Sequence, residues 1–334
     1  MLEPFPEFSA AEMDEVRRMN QRLRWAPRFR APTPLGRLMI QTMLGAQTVM
    51  PVGVRGVRIT TRRITWKGHA VSLRILRPAA GESRAVYVDY HGGGWAIGVA
   101  AMDDLVNAAI ARECNFTVVS VDYTTLPQIE FEAMIAQCAA AADWILDNAE
   151  GEFGAREVFI GGESAGAHLA ACTLLRLRDQ RRDFDRVRGA VLFYGPYDLS
   201  GTPSVRAAPR DTLVLDGPAM MPGIGKLMPG RSEAERRDPA VSPLYANLSR
   251  LPPALLLVGT IDPLIDDSRL MAERWKAASG NARLILAPEG PHAFNRLPTT
   301  PASITNRWVR RWLERQLERQ LERQLERQTP PTAK

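Results

Sequence analysis

Residues 158–166 read VFIGGESAG, an apolar run followed at once by a glycine-rich turn. The pattern predicts a buried strand, then a sharp turn that carries Ser164, then a helix from about Ala165. Gly162 and Gly166 flank the serine at the two positions where such a turn brings backbone close to backbone. This order is typical of a nucleophile elbow. The alternative is a glycine-rich helix entrance that binds phosphate, but it lacks the GK[ST] or G-x-G-x-x-G continuation.

A second glycine-rich motif, HGGGW at residues 91–95, follows another predicted buried strand. Acyl transfer places negative charge on a carbonyl oxygen, and each preorganised N–H donor stabilises that charge by roughly 3 to 4 kcal/mol. We expect Gly92 and Gly93 to supply such donors, with the N–H of Ala165 arriving from the other side. Trp95 is expected to line the substrate pocket near this loop. The alternative is a tight glycine turn with no donor role.

A serine hydroxyl is a weak nucleophile at neutral pH, so it needs a histidine as general base. The chain has four histidines. His69 is predicted in a turn between early strands, His91 is expected to brace the HGGGW loop, and His168 is expected to pack on the helix after the serine. His292, in GPHAF after the last predicted strand, is the candidate base because it completes the chain order serine, acid, histidine.

The histidine in turn needs a carboxylate that fixes its tautomer. The segment ALLLVGTIDPLIDD, residues 254–267, contains three aspartates at and after the end of a predicted buried strand. Asp262 is the preferred acid because it leaves the strand end directly. Asp266 and Asp267 are its rivals, but they also suit the start of the next helix, where acidic side chains interact favourably with the helix dipole and cap its N–H groups.

Eight segments have the pattern of strands, of which the first two alternate like half-exposed strands and the others are continuous apolar runs. The predicted strands are Val57–Trp66, Val71–Leu76, Ala85–Tyr90, Thr117–Val121, Val158–Gly161, Ala190–Tyr194, Ala254–Val258 and Ala282–Leu286, with helices at about 101–113, 130–148, 164–179 and 267–279. Alternating strands and helices predict the α/β class, with a mostly parallel sheet covered by helices on both faces.

Two regions outside this alternation are predicted to form a cap over the strand ends. Ser9 and Glu12 make a capping box for a short helix, and a second apolar segment at about 35–50 needs a surface to cover. The interval 195–251 is too long for an ordinary connection, and a floppy surface loop is the alternative to a cap. The expected bounds are 1–55 for the N-terminal cap helices, 56–194 and 252–312 for the catalytic domain, 195–251 for the cap insertion and 313–334 for a helical tail.

The tail repeats LERQ four times from Leu313 to Gln328. Because four residues exceed the helical turn of 3.6, the leucines drift by about 40° per repeat and the stripe wraps around the helix. We expect an extension that projects from the last helix. Self-association through this tail, which would make the protein a homo-oligomer, is the alternative.

Bulk composition excludes several classes of function. The net charge of +6 is scattered without a stripe that would follow a phosphate backbone, so no nucleic-acid partner is expected. Cys114, Cys138 and Cys172 stand in apolar segments, which favours buried free thiols and a reducing cytoplasm over disulfides or a metal cluster. The N-terminus lacks a signal-peptide pattern and no stretch is long enough to span a bilayer, so a cytoplasmic protein without an integral membrane segment is expected.

The motifs HGGGW, GESAG, DPLIDD and PHAF, in this order, resemble the hormone-sensitive-lipase-like, or family IV, branch of the α/β-hydrolase esterases. The resemblance covers about residues 57–312. It implies an eight-stranded sheet, a helical cap and hydrolysis of short- to medium-chain acyl esters without a metal or organic cofactor. The expected protein is a serine carboxylesterase that acts on a small-molecule ester through a Ser-His-Asp triad and an acyl-enzyme intermediate.

Two positions depart from the usual motif of that branch. Members commonly have Asp before the nucleophile and Gly three residues after it, whereas Glu163 and Ala167 stand here. Neither supplies the attacking oxygen or an oxyanion donor, so the chemistry should survive, while the longer Glu163 side chain is expected to reach a different partner. SAGAHLA also resembles aryl-formamidases, which leaves an activated amide as an alternative substrate. A catalytically inactive receptor is a third interpretation, but such receptors lose the base, and His292 is present.

Overall fold

The computed structural model describes residues 4–49, 54–79 and 81–328. Its strands are β1 Val57–Trp66, β2 His69–Pro78, β3 Val86–Tyr90, β4 Thr117–Asp122, β5 Val158–Glu163, β6 Val187–Phe193, β7 Ala254–Gly259 and β8 Ala282–Ala287. They form one eight-stranded sheet in the order β1-β2-β4-β3-β5-β6-β7-β8. β2 is antiparallel to both of its neighbours and all other pairs are parallel. The predicted α/β class with a mostly parallel sheet is confirmed.

Helices cover both faces of this sheet. The α-helices of the described residues are α1 Ala10–Leu23, α2 Pro34–Val49, α3 Asp104–Cys114, α4 Phe131–Phe153, α5 Ala165–Gln180, α6 Pro203–Arg206, α7 Gly217–Leu227, α8 Glu233–Arg236, α9 Ile265–Ser279 and α10 Thr300–Gln328. α4, α5 and α9 pack on one face in a core that includes Met134, Leu169 and Trp275. α3 and α10 pack on the other face, with Ile110 and Trp308 in a second core.

The central strands read as continuous apolar runs because both of their faces are buried. Along β3, Val86 and Val88 belong to the first core and Tyr87 to the second, as the two-residue period of a strand requires. Each fully buried large apolar side chain contributes about 1.5 to 3 kcal/mol to folding. Cys114, Cys138 and Cys172 are also buried, and burial raises the pKa of Cys114 and Cys172 to about 12.

The N-terminal helices lie where the sequence predicts them, but one apolar face of α2 is exposed instead of buried. α1 begins with the predicted capping box, in which Glu12 accepts the Ser9 amide at 2.7 Å. The prediction that the apolar segment of α2 covers a surface is correct for Leu44, which is 8% exposed. It is wrong for the opposite stripe of the helix. That stripe comprises Leu35, Leu38, Met39 and Met43, whose exposed fractions are 68%, 62%, 66% and 64%.

The interval 195–251 is folded and packed, which disagrees with the surface-loop alternative. It contains α6, α7 and α8 and buries Val205, Ile224 and Val241. It is joined to the N-terminal region through Phe29, whose amide donates to Val214 at 2.6 Å and whose carbonyl accepts from Asp216 at 2.9 Å. The predicted bounds of a cap built from these two regions stay a prediction.

The helical tail differs from the expected projecting extension at its start. α10 continues without a break from Thr300 into the repeats. Leu313 and Leu317 are 0% and 1% exposed because they complete the core beneath α3 and α10. The side chains of Leu321 and Leu325 and residues 329–334 lie outside the described part of the chain, and self-association through the tail stays a prediction.

Candidate active site

Ser164 lies between β5 and α5 in a backbone conformation that few residues adopt. Its φ of 54° and ψ of −121° fall outside the ordinary regions for an L-residue, a strain that costs about 1 to 3 kcal/mol. The Ser164 amide donates to the carbonyl of Phe193 on β6 at 2.9 Å. The turn therefore projects the hydroxyl from the carboxyl ends of the central strands, in the strand, turn and helix arrangement that the sequence predicts.

The two glycines of the turn stand where other residues cannot fit. A methyl group on Gly166 would lie 1.8 Å from the carbonyl oxygen of Tyr90, and one on Gly162 would lie 2.6 Å from the same oxygen. These contacts are with backbone, which cannot rotate out of the way. The GESAG turn consequently rests directly against the end of β3, where the HGGGW loop begins.

His292 and Asp262 complete a chain of hydrogen bonds that starts at the serine. Nε2 of His292 lies 3.0 Å from Oγ of Ser164, and Nδ1 of His292 lies 2.9 Å from Oδ2 of Asp262. The other carboxylate oxygen of Asp262 accepts the Leu264 amide at 2.9 Å. Since Asp262 and His292 are 1% and 5% exposed, little water competes for these bonds. With Nδ1 donating to the carboxylate, Nε2 is free to accept the serine proton.

The rival aspartates have structural partners elsewhere. Asp266 accepts the amide of Ser204 at 2.9 Å. Asp267 accepts the amide of Tyr197 at 2.6 Å and the hydroxyl of Thr202 at 2.6 Å, and burial raises the pKa of Asp267 to about 7. Both carboxylates attach the start of α9 to the segment that follows β6, instead of capping their own helix as the sequence suggested.

The HGGGW loop turns back beside the serine. The Cβ of a residue at Gly92 would lie 3.6 Å from Cβ of Ser164, and a Cβ at Gly93, where φ is +116°, would lie 2.1 Å from the Ile97 carbonyl oxygen. Within the described ranges, no acceptor is bonded to the backbone amides of Gly92, Gly93 or Ala165. All three predicted donors therefore have N–H groups open to a ligand, and Ala165 begins α5, where the helix dipole favours negative charge.

The remaining histidines are held away from the serine. The His91 ring stacks on Tyr123 with centroids 4.1 Å apart, and its Nδ1 lies 2.8 Å from the Gly92 carbonyl. Burial lowers the pKa of His91. These contacts brace the loop, as predicted. His69 is the first residue of β2 and not part of the preceding turn, so its predicted place in that turn is wrong.

His168 connects the HGGGW loop to the insertion. Its Nδ1 accepts from the Trp95 indole at 3.3 Å, and its Nε2 donates to the Val241 carbonyl at 2.7 Å. The ring is fully buried, and this burial lowers the pKa of His168 to about 4. The imidazole is consequently neutral near pH 7, which is the state that both hydrogen bonds require.

Glu163 is the centre of a polar cluster next to Ser164 and His292. Its carboxylate accepts from the Tyr194 hydroxyl at 2.8 Å, from the Asn295 amide at 2.8 Å and from Nε of Arg296 at 2.7 Å. Arg296 also pairs with Asp103. Burial alone would lower the pKa of Arg296, but the two carboxylates outweigh it and raise that pKa well above its usual value. Glu163 thus ties the nucleophile turn to the loop that carries the histidine.

Sequence reasoning indicated that Glu163 would find a different partner but missed the partners themselves. Tyr194 follows β6, and its ring centroid lies 4.6 Å from that of His292. Asn295 and Arg296 come three and four residues after His292, so their proximity to the histidine was readable. Nothing in the sequence indicated that the loop folds them back onto β5.

A cavity of about 380 Å³ opens above Ser164 and His292. Its walls are mostly apolar side chains of the insertion and the N-terminal region together with residues of the HGGGW loop, among them Trp95. A role of Trp95 in binding substrate stays a prediction. The apolar lining includes Phe29, Leu215, Met220, Ile224 and Leu264. The cavity falls within the range of about 300 to 1,000 Å³ that is typical of small-ligand sites.

Known proteins share both the sequence pattern and the fold. A family model described as the alpha/beta hydrolase fold matches residues 87–296. The chain is 31% identical over 247 residues to an arylesterase of Saccharolobus solfataricus, which covers 73% of this chain and 79% of that protein. It is 30% identical over 259 residues to the carboxylic ester hydrolase LipN of Mycobacterium tuberculosis, covering 72% of this chain and 65% of LipN.

Solved esterase structures superpose on most of the chain. An esterase from Pyrobaculum calidifontis matches with a TM-score of 0.77 and 27% identity, covering 89% of this chain and 97% of that one. The esterase LipW from Mycobacterium marinum also matches with a TM-score of 0.77, at 26% identity, covering 90% of this chain and 96% of that one.

Proposed function

The chain belongs to the alpha/beta hydrolase family, in its hormone-sensitive-lipase-like branch, and from this premise we propose that it is a serine carboxylesterase for short- to medium-chain acyl esters. Its relatives carry esterase names, and esterase is the class of enzyme to which the chain belongs. The observation that carries the finer proposal is the bond chain from Ser164 through His292 to Asp262, with contacts of 3.0 Å and 2.9 Å.

In the proposed first half-reaction, His292 takes the proton of Ser164 as Oγ attacks the ester carbonyl. The N–H groups of Gly92, Gly93 and Ala165 stabilise the oxyanion. The tetrahedral intermediate collapses as His292 gives its proton to the leaving alkoxide, so that an alcohol departs and an acyl-serine remains. Water then enters, His292 deprotonates it, and the acid leaves with Ser164 reprotonated. Asp262 stays ionised and orients the imidazole throughout.

The size and character of the cavity support a short to medium acyl chain. Its volume of about 380 Å³ is near the lower end of the range for small-ligand sites. Met220, Ile224 and Leu227 contribute apolar walls, and methionine adapts to acyl groups of different shape. We propose that residues 1–55 and 195–251 act together as the cap that supplies these walls.

The cytoplasm is the proposed compartment. Among the described residues, no helix has both the length and the apolar character that crossing a membrane demands. The buried thiols, which burial keeps protonated, are compatible with a reducing environment.

The decisive test pairs a reactive probe with a substrate series. A fluorophosphonate should label the wild-type protein at Ser164 and leave Ser164→Ala unlabelled, while thermal unfolding shows that the variant keeps its fold. Hydrolysis of p-nitrophenyl esters from acetate to dodecanoate should be fastest for short and medium chains. Labelling or turnover that persists in Ser164→Ala would overturn the assignment of the nucleophile.

Comparison with an aryl formamide separates ester from amide hydrolysis. The proposal expects the p-nitrophenyl ester to have the higher kcat/KM. A higher kcat/KM for the formamide would assign the same triad to amide chemistry, and the absence of both labelling and turnover would favour a binding protein.

A further inference from the structure

The stripe of α2 formed by Leu35, Leu38, Met39 and Met43 is an apolar surface that faces outward. All four side chains are more than 60% exposed. They lie at helical positions i, i+3, i+4 and i+8, so they form one continuous face. A contiguous exposed apolar face usually marks an interaction site in a protein of this kind.

The same helix turns its polar side chains inward. Gln41 donates to the Gly98 carbonyl at 2.8 Å and accepts the Gly98 amide at 2.9 Å, while Arg37 donates to the Leu126 carbonyl at 3.3 Å. These bonds fix which face of α2 points outward. The exposed stripe is therefore a built feature of the fold and does not result from a helix that has rotated out of position.

The chain around the stripe carries only positive charge. From Val16 to Val49 the sequence contains seven Arg residues and no Asp or Glu, although Arg17 pairs with Glu289 at 2.8 Å and Arg30 with Asp216 at 3.4 Å. Arg22, Arg24 and Arg30 are exposed just before α2, and Trp25 between them is 92% exposed. Basic residues, an exposed tryptophan and an apolar helix face together are typical of a segment that lies on an anionic membrane surface.

We propose that α2 and the segment before it bind the surface of an anionic lipid bilayer. The stripe would enter the interface between headgroups and acyl chains, while Arg22, Arg24 and Trp25 contact the headgroups. A second copy of the chain fits less well, because two such surfaces would bring like charges together. One helix stripe also offers less than the roughly 800 Å² per partner that a stable dimer buries.

The position of α2 places this surface beside the catalytic loop. Gly98, which Gln41 holds, follows the HGGGW motif, and Arg30 and Ala31 line the cavity. A protein docked through α2 would thus face the membrane close to the cavity, in reach of esters that partition into the bilayer.

The experiment measures binding of the full chain to sedimented vesicles of phosphatidylcholine mixed with phosphatidylglycerol, and to vesicles of phosphatidylcholine alone. Binding should require phosphatidylglycerol and fall as salt rises. Leu38→Gln should weaken the partition coefficient about tenfold, and Arg24→Gln about fivefold. Leu105→Gln, at a site that is 69% exposed on α3, and Arg269→Gln on α9 are the matched controls and should bind like the wild type.

Three results would overturn the proposal: no binding to the anionic vesicles, equal binding to both kinds of vesicle, or a Leu38→Gln variant that binds as the wild type does. Analytical ultracentrifugation adds a fourth, since a dimer that Leu38→Gln dissociates would assign the stripe to a second copy. Vesicle binding does not depend on hydrolysis, so Ser164→Ala should bind unchanged, and failure here leaves the proposed esterase reaction untouched.

Discussion

The floor and the roof of the cavity are held together by different forces. In the floor, Glu163, Arg296 and Asp262 are charged groups with partners within 3 Å. The roof is made of residues 29–31 and α7 and consists mainly of apolar side chains. Two backbone hydrogen bonds of Phe29 join these two parts. Directional bonds fix atoms to a few tenths of an ångström, whereas apolar contacts tolerate changes of shape. The floor is therefore suited to holding reacting groups in place, while the proposed role of the roof is to select the acyl group.

The largest loss of activity is expected from Asp262→Asn, in the floor of the cavity. The amide would hold the His292 ring in the wrong tautomer, so kcat should fall by about 10⁴ while the fold persists. Steady-state hydrolysis of a p-nitrophenyl ester measures this. Asp266→Asn, four residues further on, is the control and should keep nearly full kcat; equal losses in both variants would contradict the assignment of the acid.

His168 connects the HGGGW loop to the insertion, and this connection should weaken in acid. Its pKa is about 4 in the folded protein and about 6.5 in the unfolded chain. Between these values the unfolded state binds a proton that the folded state does not, so stability is fully present above pH 6.5 and is lost as pH falls towards 4. The shift corresponds to about 3 kcal/mol.

Urea unfolding at a series of pH values tests this dependence. His168→Gln should have a flatter profile across the same window, although it is less stable at neutral pH. His69→Gln, at the partly exposed start of β2, should keep the wild-type slope. A His168→Gln profile that is as steep as that of the wild type would assign the acid sensitivity to other groups.

Glu163→Gln tests whether the charged cluster of the floor positions the catalytic loop. Removing one carboxylate leaves Arg296 short of a partner, which should lower the free energy of unfolding by about 2 kcal/mol. It should also lower kcat about tenfold with KM unchanged, because the His292 loop loses an anchor. Glu157→Gln breaks the buried pair with Arg188 at the other end of β5. This control should lose stability and keep its kcat, and a loss of kcat in both variants would indicate general destabilisation.

The smallest effect is expected in the roof. Ile224→Ala should enlarge the cavity and raise the ratio of kcat/KM for hexanoate over acetate by about fivefold, since a methylene-sized change in an apolar pocket discriminates weakly. Met228, at the end of α7, is buried at 3% exposure. Met228→Ala is the control and should leave the ratio unchanged. An unchanged ratio in Ile224→Ala would mean that the acyl group binds elsewhere.

The sequence was most informative where function depends on local order. The strand before Ser164, the glycines beside it and the histidine after the last strand can each be read within a few residues, because turn geometry and strand burial are short-range effects. The eight-stranded sheet followed from the same reasoning. Asp262 was preferred over Asp266 and Asp267 because it comes first after the strand, three residues beyond the end of β7 at Gly259, and its role as the acid stays a prediction.

Contacts that depend on how distant segments meet were not readable. The approach of Tyr194 and Arg296 to Glu163 depends on the path of two loops, and the outward stripe of α2 depends on Arg37 and Gln41 finding backbone partners far along the chain. The helical period and the composition of α2 would be the same whether its apolar side faced the core or the solvent. The LERQ repeat also obscured where the core ends. Its first leucines, beginning with Leu313, belong to the core, although the repeat pattern suggested a separate tail.

The contact between Gly166 and the carbonyl of Tyr90 makes two motifs some seventy residues apart a single steric unit. A side chain at Gly166 would lie 1.8 Å from the Tyr90 carbonyl oxygen and 2.6 Å from that of His91, so it would displace the loop that begins at His91. For an engineer, a library made at either motif has to keep Gly162 and Gly166 fixed. In the roof the same limit applies at Gly217, where a Cβ would lie 2.6 Å from the Pro209 carbonyl oxygen, so variation there is best placed at side chains that already line the cavity, such as Met220 and Ile224.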